Sequence, residues 1–296
     1  MSSPPPSVLP ATMAVGINRQ WPIPACSLTL ADLRRLFEML RSKALEATTE
    51  QLAHLSAQMN IQVASVHDEA RNLMALTVRV QSARGDWRFA NSADPLSDDS
   101  FPPLASIVVY ECGPLYRQRF NQFPQNQFSV TIDFTRTAIG DLSNPALATG
   151  PGPSAVYVSG VNPTWVNAVD HELRTFFEER ATRRGWLHSR FVYDLLLFFI
   201  GVPICLDGIY NLDKRLSVLV KFPAAVSVAL YVYLMLVGLL GFRILFNYAR
   251  WVFPKIEGPP QKSGSAVHKT ILVAIFVGLM VRVVSTILWL AGIHLH

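Results

Sequence analysis

The sequence predicts an α+β domain, in which an antiparallel sheet is flanked by two helices, followed by an all-α transmembrane region of three helices, or of two. Three observations support this. Residues 222–242 form a run of 21 residues without a charge, and such a helix spans about 31 Å, close to the thickness of a bilayer's hydrocarbon core. Residues 1–190 carry 17 Lys and Arg against 17 Asp and Glu, whereas residues 191–296 carry 9 against 4. Within the first part, apolar residues change from helical spacing to alternation and back.

The excess charge lies in the apolar half of the chain. Hydrophobic residues make up 50% and charged residues 16% of the sequence, below the roughly 25% charged residues of soluble domains. The net charge of +5 belongs to residues 191–296, which predicts basic loops at a membrane surface and argues against nucleic acid as a partner. No Lys or Arg precedes Arg19, unlike in a secretory signal, so the first domain is expected to be cytoplasmic.

The first domain is predicted to cover residues 27–185, after a disordered tail of residues 1–26 that is rich in Pro and Ser. Its first helix begins at Thr29-Leu30-Ala31-Asp32, where a hydroxyl residue is followed three positions later by an acidic one. Helical spacing continues to Leu55, with a break expected at Thr48-Thr49. The buried stripe of this helix comprises Leu33, Leu36, Phe37, Leu40 and Ala44.

Alternating apolar and polar residues predict strands in the middle of the domain. A turn at 82–86 joins two of them into a hairpin, and residues 140–154 are predicted to be a loop. Asn162-Pro163 then begins the second helix, because Asn is a favoured N-cap and Pro a favoured first helical residue. The strands are predicted at 61–66, 76–80, 87–89, 106–110, 128–134 and 155–159. Since no helical crossover separates them, the sheet is expected to be antiparallel.

Residues 186–296 are predicted to form the membrane domain, with candidate spans at 191–209, 222–243 and 270–293. The first span has an alternative, because its charge-free core, 195–206, has the length of a re-entrant or interfacial helix. Three spans would place nine Lys and Arg on the cytoplasmic flanks against three on the other side, whereas two spans give seven against five. The positive-inside rule therefore favours three spans, with the first domain cytoplasmic and the C-terminus on the opposite side.

Two charged residues inside apolar runs are the candidate site residues. Arg282 lies about 12 residues, or roughly 18 Å, into the last span, where a charge costs a few kcal/mol. Two interpretations of Arg282 remain open: it lines a pore or binds an anion, or it snorkels or pairs within the bundle. Asp194 is its hypothesised partner in an intramembrane charged pair, across a difference in depth of about 10 Å.

The sequence contains no motif that predicts a catalytic, metal or cofactor site. The cluster Asp170-His171-Glu172 would need a second histidine at position 175 to match H-E-x-x-H, and Thr175 stands there. Enzymatic activity is therefore not expected, although catalytic residues that are distant in sequence escape a motif search.

Two functions remain open. The first is a membrane-tethered cytoplasmic sensor or protein-interaction module, whose N-terminal domain binds a protein partner while the spans lie in the lipid bilayer. The alternative is a subunit of an oligomeric channel or transporter with Arg282 and Asp194 in the pathway. Small residues at Ala225 and Ala229, and at Gly238 and Gly241, favour close approach of helices, within the chain or in a homo-oligomer.

Overall fold

A six-stranded antiparallel sheet forms the centre of the N-terminal domain in the computed structural model of the chain. The structure describes residues 16–59, 71–121, 123–136, 154–216, 223–259 and 265–290. The strands of these described residues are β1 (Ile17–Pro22), β2 (Cys26–Ser27), β3 (Leu76–Ser82), β4 (Trp87–Ala90), β5 (Ala105–Cys112), β6 (Asn126–Asp133), β7 (Ala155–Gly160) and β8 (Ile256–Glu257). The order in the sheet is β1-β7-β6-β5-β3-β4, and each neighbouring pair is antiparallel.

Seven α-helices of at least seven residues accompany these strands in the described ranges. They are α1 (Leu30–Met59), α2 (Pro114–Phe120), α3 (Pro163–Glu178), α4 (Arg190–Leu196), α5 (Val202–Leu216), α6 (Ala224–Val252) and α7 (Ser265–Leu290). The predicted hairpin is confirmed as β3 and β4, and Asn162 caps α3 as expected, because its side chain accepts hydrogen bonds from the N–H groups of Thr164 and Trp165. The predicted strand at 61–66 lies outside the described residues, as does nearly all of the loop at 140–154.

The core of the domain lies between one face of the sheet and the helices α1 and α3. Because strand side chains alternate between faces, every second residue of the central strands points into this core. Tyr110 on β5 is fully buried, and its hydroxyl donates to the carbonyl of Leu33 on α1 at 2.9 Å. The core residues of the sheet and of the two helices include Val78, Val108, Phe128, Val130, Val156, Phe37, Leu40, Val169 and Leu173.

The second half of the predicted N-terminal tail belongs to the folded domain. Residues 17–22 form β1, the edge strand that pairs with β7, and Ile23 is fully buried. Trp21 is buried as well, and its indole N–H donates to the carboxylate of Asp170 on α3 at 2.7 Å. Of the prolines that suggested disorder, Pro22 is the last residue of this edge strand, where no ladder hydrogen bond is lost.

Helix α1 is continuous where a break was expected. The hydroxyls of Thr48 and Thr49 donate to the carbonyls of Ala44 and Leu45, at 2.7 and 3.0 Å. This back-bonding satisfies the polar groups of both threonines inside the helix. Helix α2 was not predicted, because its polar sequence lacks an apolar stripe of helical spacing.

Two helical stretches among the described residues are long and apolar enough to cross a membrane, Phe191–Lys214 and Ala225–Val252. The first consists of α4 and α5 joined by one π-helical turn, Leu197–Gly201, in which the N–H of Val202 bonds to the carbonyl of Leu197. Pro203 is the second residue after this turn. Because proline has no N–H and its ring clashes with the carbonyl four residues earlier, a wider turn accommodates it without ending the helix.

The three helical stretches of the second half run past one another in alternating directions. Helices α5 and α6 pack together, and α7 packs on both. At the end next to the N-terminal domain, the ring nitrogen of His188, just before α4, lies 2.8 Å from the carbonyl of Phe253, just after α6. At the other end, the hydroxyl of Tyr231 on α6 donates to Asp213 on α5 at 2.5 Å. The chain from α4 to α6 is therefore a helical hairpin that starts and finishes beside the N-terminal domain.

Candidate functional site

A pair of short strands joins the N-terminal domain to the connection between α6 and α7. Strand β2 and strand β8 are parallel, although 230 residues separate the paired residues Cys26 and Ile256. The N–H of Cys26 donates to the carbonyl of Lys255 at 3.1 Å, and the N–H of Leu28 donates to the carbonyl of Glu257 at 2.9 Å. We call this contact, formed by residues 25–28 and 253–258, the junction.

The other side of residues 25–28 is bound to the segment that leads into α4. The N–H of Thr182 donates to the carbonyl of Ala25 at 2.7 Å, and that of Ser27 to the carbonyl of Arg180 at 3.2 Å. The guanidinium of Arg180 also binds Asp32 on α1 at 2.8 Å. Burial opposes ionisation of Asp32, but hydrogen bonds from Thr29 and the charge of Arg180 lower its pKa. The predicted helix start therefore also anchors the segment that leads into α4.

Glu257 is the buried charge at the centre of the junction. Its side chain is 8% exposed, and its carboxylate binds Arg184 at 2.5 Å and Lys269 on α7 at 3.6 Å. Burial would raise the pKa of Glu257, but the hydrogen bond and charge of Arg184, together with Lys269, lower it overall. One carboxylate thus connects the segment before α4 to the start of α7.

Apolar side chains also pack at the junction. Ile256 is 1% exposed and belongs to the core of the N-terminal domain. The next residue but one, Gly258, lies so close to the ring of Phe134 that an added Cβ would be 2.8 Å from it, which explains why a glycine stands there. Residues of the α6–α7 connection are therefore part of the domain's core.

The end of α6 is fixed to the segment before α4 as well. Arg250 is 5% exposed, and its guanidinium donates to the carbonyls of Leu187 and Ser189 at 3.1 and 3.4 Å. Burial lowers the pKa of His188, despite its hydrogen bond with the carbonyl of Phe253, and the charges of Arg250 and Lys255 lower it further. A neutral His188 avoids adding another cation to this basic end of the helices.

Arg282 has a carboxylate partner, and that partner is Asp207 on α5. The Nε and Nη2 atoms of Arg282 both donate to Oδ2 of Asp207, at 2.9 and 2.7 Å. The other oxygen of Asp207 accepts a hydrogen bond from the side chain of Asn211 at 3.0 Å. The Arg282 side chain is 57% exposed and that of Asp207 is 20% exposed. The carboxylate is therefore held between two donors, with the arginine on the outer side.

The structure brings Arg282 to Asp207 rather than to Asp194. Arg282 lies about 17 residues from the start of α7, and Asp207 lies about 17 residues from the start of α4. Asp194 lies only about four residues from the start of α4, roughly 20 Å along the axis from Asp207. Asp207 lies inside the predicted span 191–209 but was missed, because the apolar run ends at residue 206, whereas the helix continues to Leu216. Matching depths from the domain side would have identified it.

An apolar cavity of about 250 Å³ lies between α4, α6 and α7. All 14 residues that line it are apolar, and they include Trp186, Leu196, Ile200, Phe246, Phe253 and Leu279. Trp186 and Phe253 mark the end of the cavity that adjoins the N-terminal domain. Phe242 and Leu279 mark the deeper end, about 16 Å away along α6.

The dense ionisable cluster on α3 has structural partners. Asp170 is buried and binds both the Trp21 indole and the guanidinium of Arg174, at 2.7 and 3.0 Å. Glu172 pairs with Lys43 on α1 at 3.0 Å, and His171 is exposed. No group of three or more His, Cys, Asp or Glu side chains in the described part of the chain is arranged to hold a metal ion.

Comparison with known proteins adds no assignment. No family model, curated protein or solved structure matches this chain. The contacts of the junction, of Arg282 and of the apolar cavity are therefore the basis for any statement about function.

Proposed function

We propose that this chain is a multi-pass membrane protein whose cytoplasmic N-terminal domain is a sensor or protein-interaction module coupled rigidly to its membrane helices. The pairing of β2 with β8 carries this proposal, because it makes the connection between α6 and α7 part of the domain. A domain that was merely tethered to the membrane helices would need only a single flexible linker. Here two segments of the membrane part are bonded to the domain, at residues 180–182 and 255–257, and α7 is bound to the second of them through the pair of Lys269 with Glu257.

The same attachment supports three spans. Helices α4 and α6 both have one end at the N-terminal domain, where His188 meets Phe253. If α6 crosses the bilayer, its start lies on the far side, and the chain must already have crossed through α4 and α5 to reach it. The third span then follows from α7, which has 26 residues and whose second turn lies beside the domain, where Lys269 binds Glu257. The count of Lys and Arg is not needed for this conclusion.

Cysteine labelling in intact cells tests this topology. Single cysteines at positions 218 and 84, in a variant without the three natural cysteines, are expected to differ in access. We expect an impermeant maleimide to label position 218 from outside, whereas position 84, in the exposed turn after β3, requires permeabilised cells. Labelling of both positions from the same side would contradict three spans with a cytoplasmic domain.

The edge of the sheet at β4 is the surface that we propose for a protein partner. Strand β4 ends the order of strands, and Trp87 and Phe89 are 48% and 75% exposed. Their register opposite Gln81 and Arg79 places them on the face of the sheet that the helices leave open. An exposed edge with apolar side chains is a template for an added strand. The proposed partner therefore presents an extended apolar segment.

Site-specific photo-crosslinking in cells tests the proposed surface. We expect a photoreactive residue at position 89 to give a discrete adduct, whereas one at position 45, on the exposed side of α1, gives none. Trp87→Ser, in the same chain, is expected to reduce the adduct at least about ten-fold, because truncated aromatic anchors cost about 1.4 kcal/mol or more of binding. Equal adducts from both positions would show random collisions and contradict a specific interaction.

A channel or transporter subunit remains the second candidate, because Arg282 carries a charge into α7 and is 57% exposed on the surface of one chain. In an oligomer, that surface would face a neighbouring copy or a pathway rather than lipid. The residue pair relevant to this function is Asp207 and Arg282, in place of the hypothesised pair with Asp194.

A further inference from the structure

We propose that the apolar cavity between α4, α6 and α7 binds one acyl chain of an anionic phospholipid from the domain-side leaflet, with the lipid phosphate at Arg184 and Lys269. The inference uses the membrane location from the proposed function, but not the role as an interaction module. The proposed ligand class is a phospholipid, and it occupies a cavity that has no role in the contacts of the junction.

The shape and lining of the cavity fit a hydrocarbon chain. Its volume is about 250 Å³, and every lining residue is apolar. An apolar cavity of about 150 Å³ stays dry and accepts benzene, so this larger cavity has room for a longer hydrocarbon. Its length of about 16 Å runs parallel to the helices, from Phe253 to Phe242. Acyl chains in a bilayer lie in that direction, so a lipid can enter without leaving its leaflet.

The domain-side rim of the cavity is basic. The cationic groups of Arg184 and Lys269 lie 5.8 and 6.0 Å from the centre of the Phe253 ring, which lines the cavity. They share one carboxylate, that of Glu257, so the three side chains keep one positive charge. Both cations are about a third exposed, so a phosphate can reach them without breaking the junction.

Arg250 adds a second positive charge at the same level. Its guanidinium donates to the carbonyl oxygens of Leu187 and Ser189 and stacks on Phe246, another lining residue. Trp186, which is 56% exposed, completes the rim with the aromatic side chain typical of a membrane interface. An acyl chain below and an anionic headgroup above therefore satisfy both parts of the site.

Quenching of Trp186 fluorescence by brominated lipids tests the proposal. Full-length protein in mixed micelles is titrated with phosphatidylglycerol or phosphatidylcholine, each brominated near the carboxyl end of one chain. The signal of Trp186 is isolated by subtracting the Trp186→Phe variant. We expect half-maximal quenching by phosphatidylglycerol at a mole fraction at least about five-fold lower than with phosphatidylcholine. The reason is that each basic residue near a headgroup favours an anionic lipid by about that factor.

Four variants separate the parts of the site. Lys269→Gln is expected to remove most of the preference for phosphatidylglycerol, and Arg184→Gln serves the same purpose if the first variant does not purify as a single species. Ala249→Phe fills the cavity without changing charge and is expected to remove saturable quenching by both lipids. Arg84→Gln removes a charge in the exposed β3–β4 turn and is expected to leave both titrations unchanged.

Two results would overturn the site. Equal quenching by the two lipids would show annular lipid only, and a preference that survives Ala249→Phe would show headgroup attraction without an inserted chain. Neither result affects the proposed interaction module, which depends on β2 and β8 and not on a bound lipid. Protein that stays soluble without detergent would instead refute the membrane location itself.

Discussion

Glu257→Gln is expected to lower the stability of the whole chain by about 2 kcal/mol. The substitution keeps the shape of the side chain but leaves Arg184 and Lys269 without their shared anion. Breaking a fully buried ion pair costs about 3–5 kcal/mol, and we expect less here because both cations are about a third exposed. In detergent-solubilised protein this corresponds to a fall in melting temperature of about 4–8 °C.

The pH dependence distinguishes charge from packing at Glu257. Because the folded-state pKa of Glu257 is lowered, its carboxylate stabilises the fold at pH values above its unfolded pKa, about 4.3. This contribution is lost as the pH falls through the folded-state pKa. We therefore expect the difference between wild type and Glu257→Gln to be full at pH 6 to 7 and to disappear in acid. A difference that does not shrink as the pH falls below about 4.3 would attribute the effect to packing.

A matched substitution controls for charge removal. Glu38 on α1 is 61% exposed and lies 3.8 Å from Arg41, so Glu38→Gln is expected to change the stability by less than about 1 kcal/mol. Equal effects of Glu38→Gln and Glu257→Gln would contradict the special position of Glu257 at the junction.

Asp207→Leu is expected to reduce the yield of folded, monodisperse protein about ten-fold or more. The substitution leaves the guanidinium of Arg282 within an apolar helix without its carboxylate, and an unpaired charge in a span costs about 2.5–3.5 kcal/mol on insertion scales. The double variant Asp207→Leu/Arg282→Leu removes both charges and is expected to recover most of the yield. Recovery would show coupling between the two residues, as in a double-mutant cycle.

The corresponding cycle with Asp194 separates the two carboxylates. Since Asp194 lies roughly 20 Å from Asp207 along the helix axis, Asp194→Leu and Arg282→Leu are expected to be additive. Strong coupling of Arg282 with Asp194 but not with Asp207 would contradict the observed pairing.

The same purified variants, reconstituted in liposomes, also test the function as a channel. Ion leakage that Arg282→Leu alters would favour that function.

The sequence was sufficient for the local elements that have a clear period. The alternation of β6 and the capped start at Asn162 were predicted from short-range physics alone, and the charge-free run at 222–242 lies almost entirely within α6. Lengths were less accurate. Helix α6 continues to Val252, because buried Arg250 is satisfied by carbonyls of another segment, a contact that no local pattern reveals.

Contacts between distant segments could not be predicted. Strand β8 has two residues, and a run of that length has no detectable period. Its partner β2 lies in a stretch whose prolines and serines suggested disorder. Only the assembled fold shows that Ile256 fills the domain's core and that Glu257 binds Arg184.

The separation of β2 and β8 also sets the order of events during biosynthesis. Residue 26 leaves the ribosome 230 residues before residue 256, which is about 10–50 s at translation rates of about 5–20 residues per second. During this interval the hydrogen-bonding groups of Cys26 and Leu28 lack their final partners, and the core lacks Ile256. The N-terminal domain can therefore complete its packing only after α6, which precedes β8 in the chain, has been synthesised. A chain in which β8 does not reach β2 leaves these groups unpaired, where chaperones and proteases can reach them.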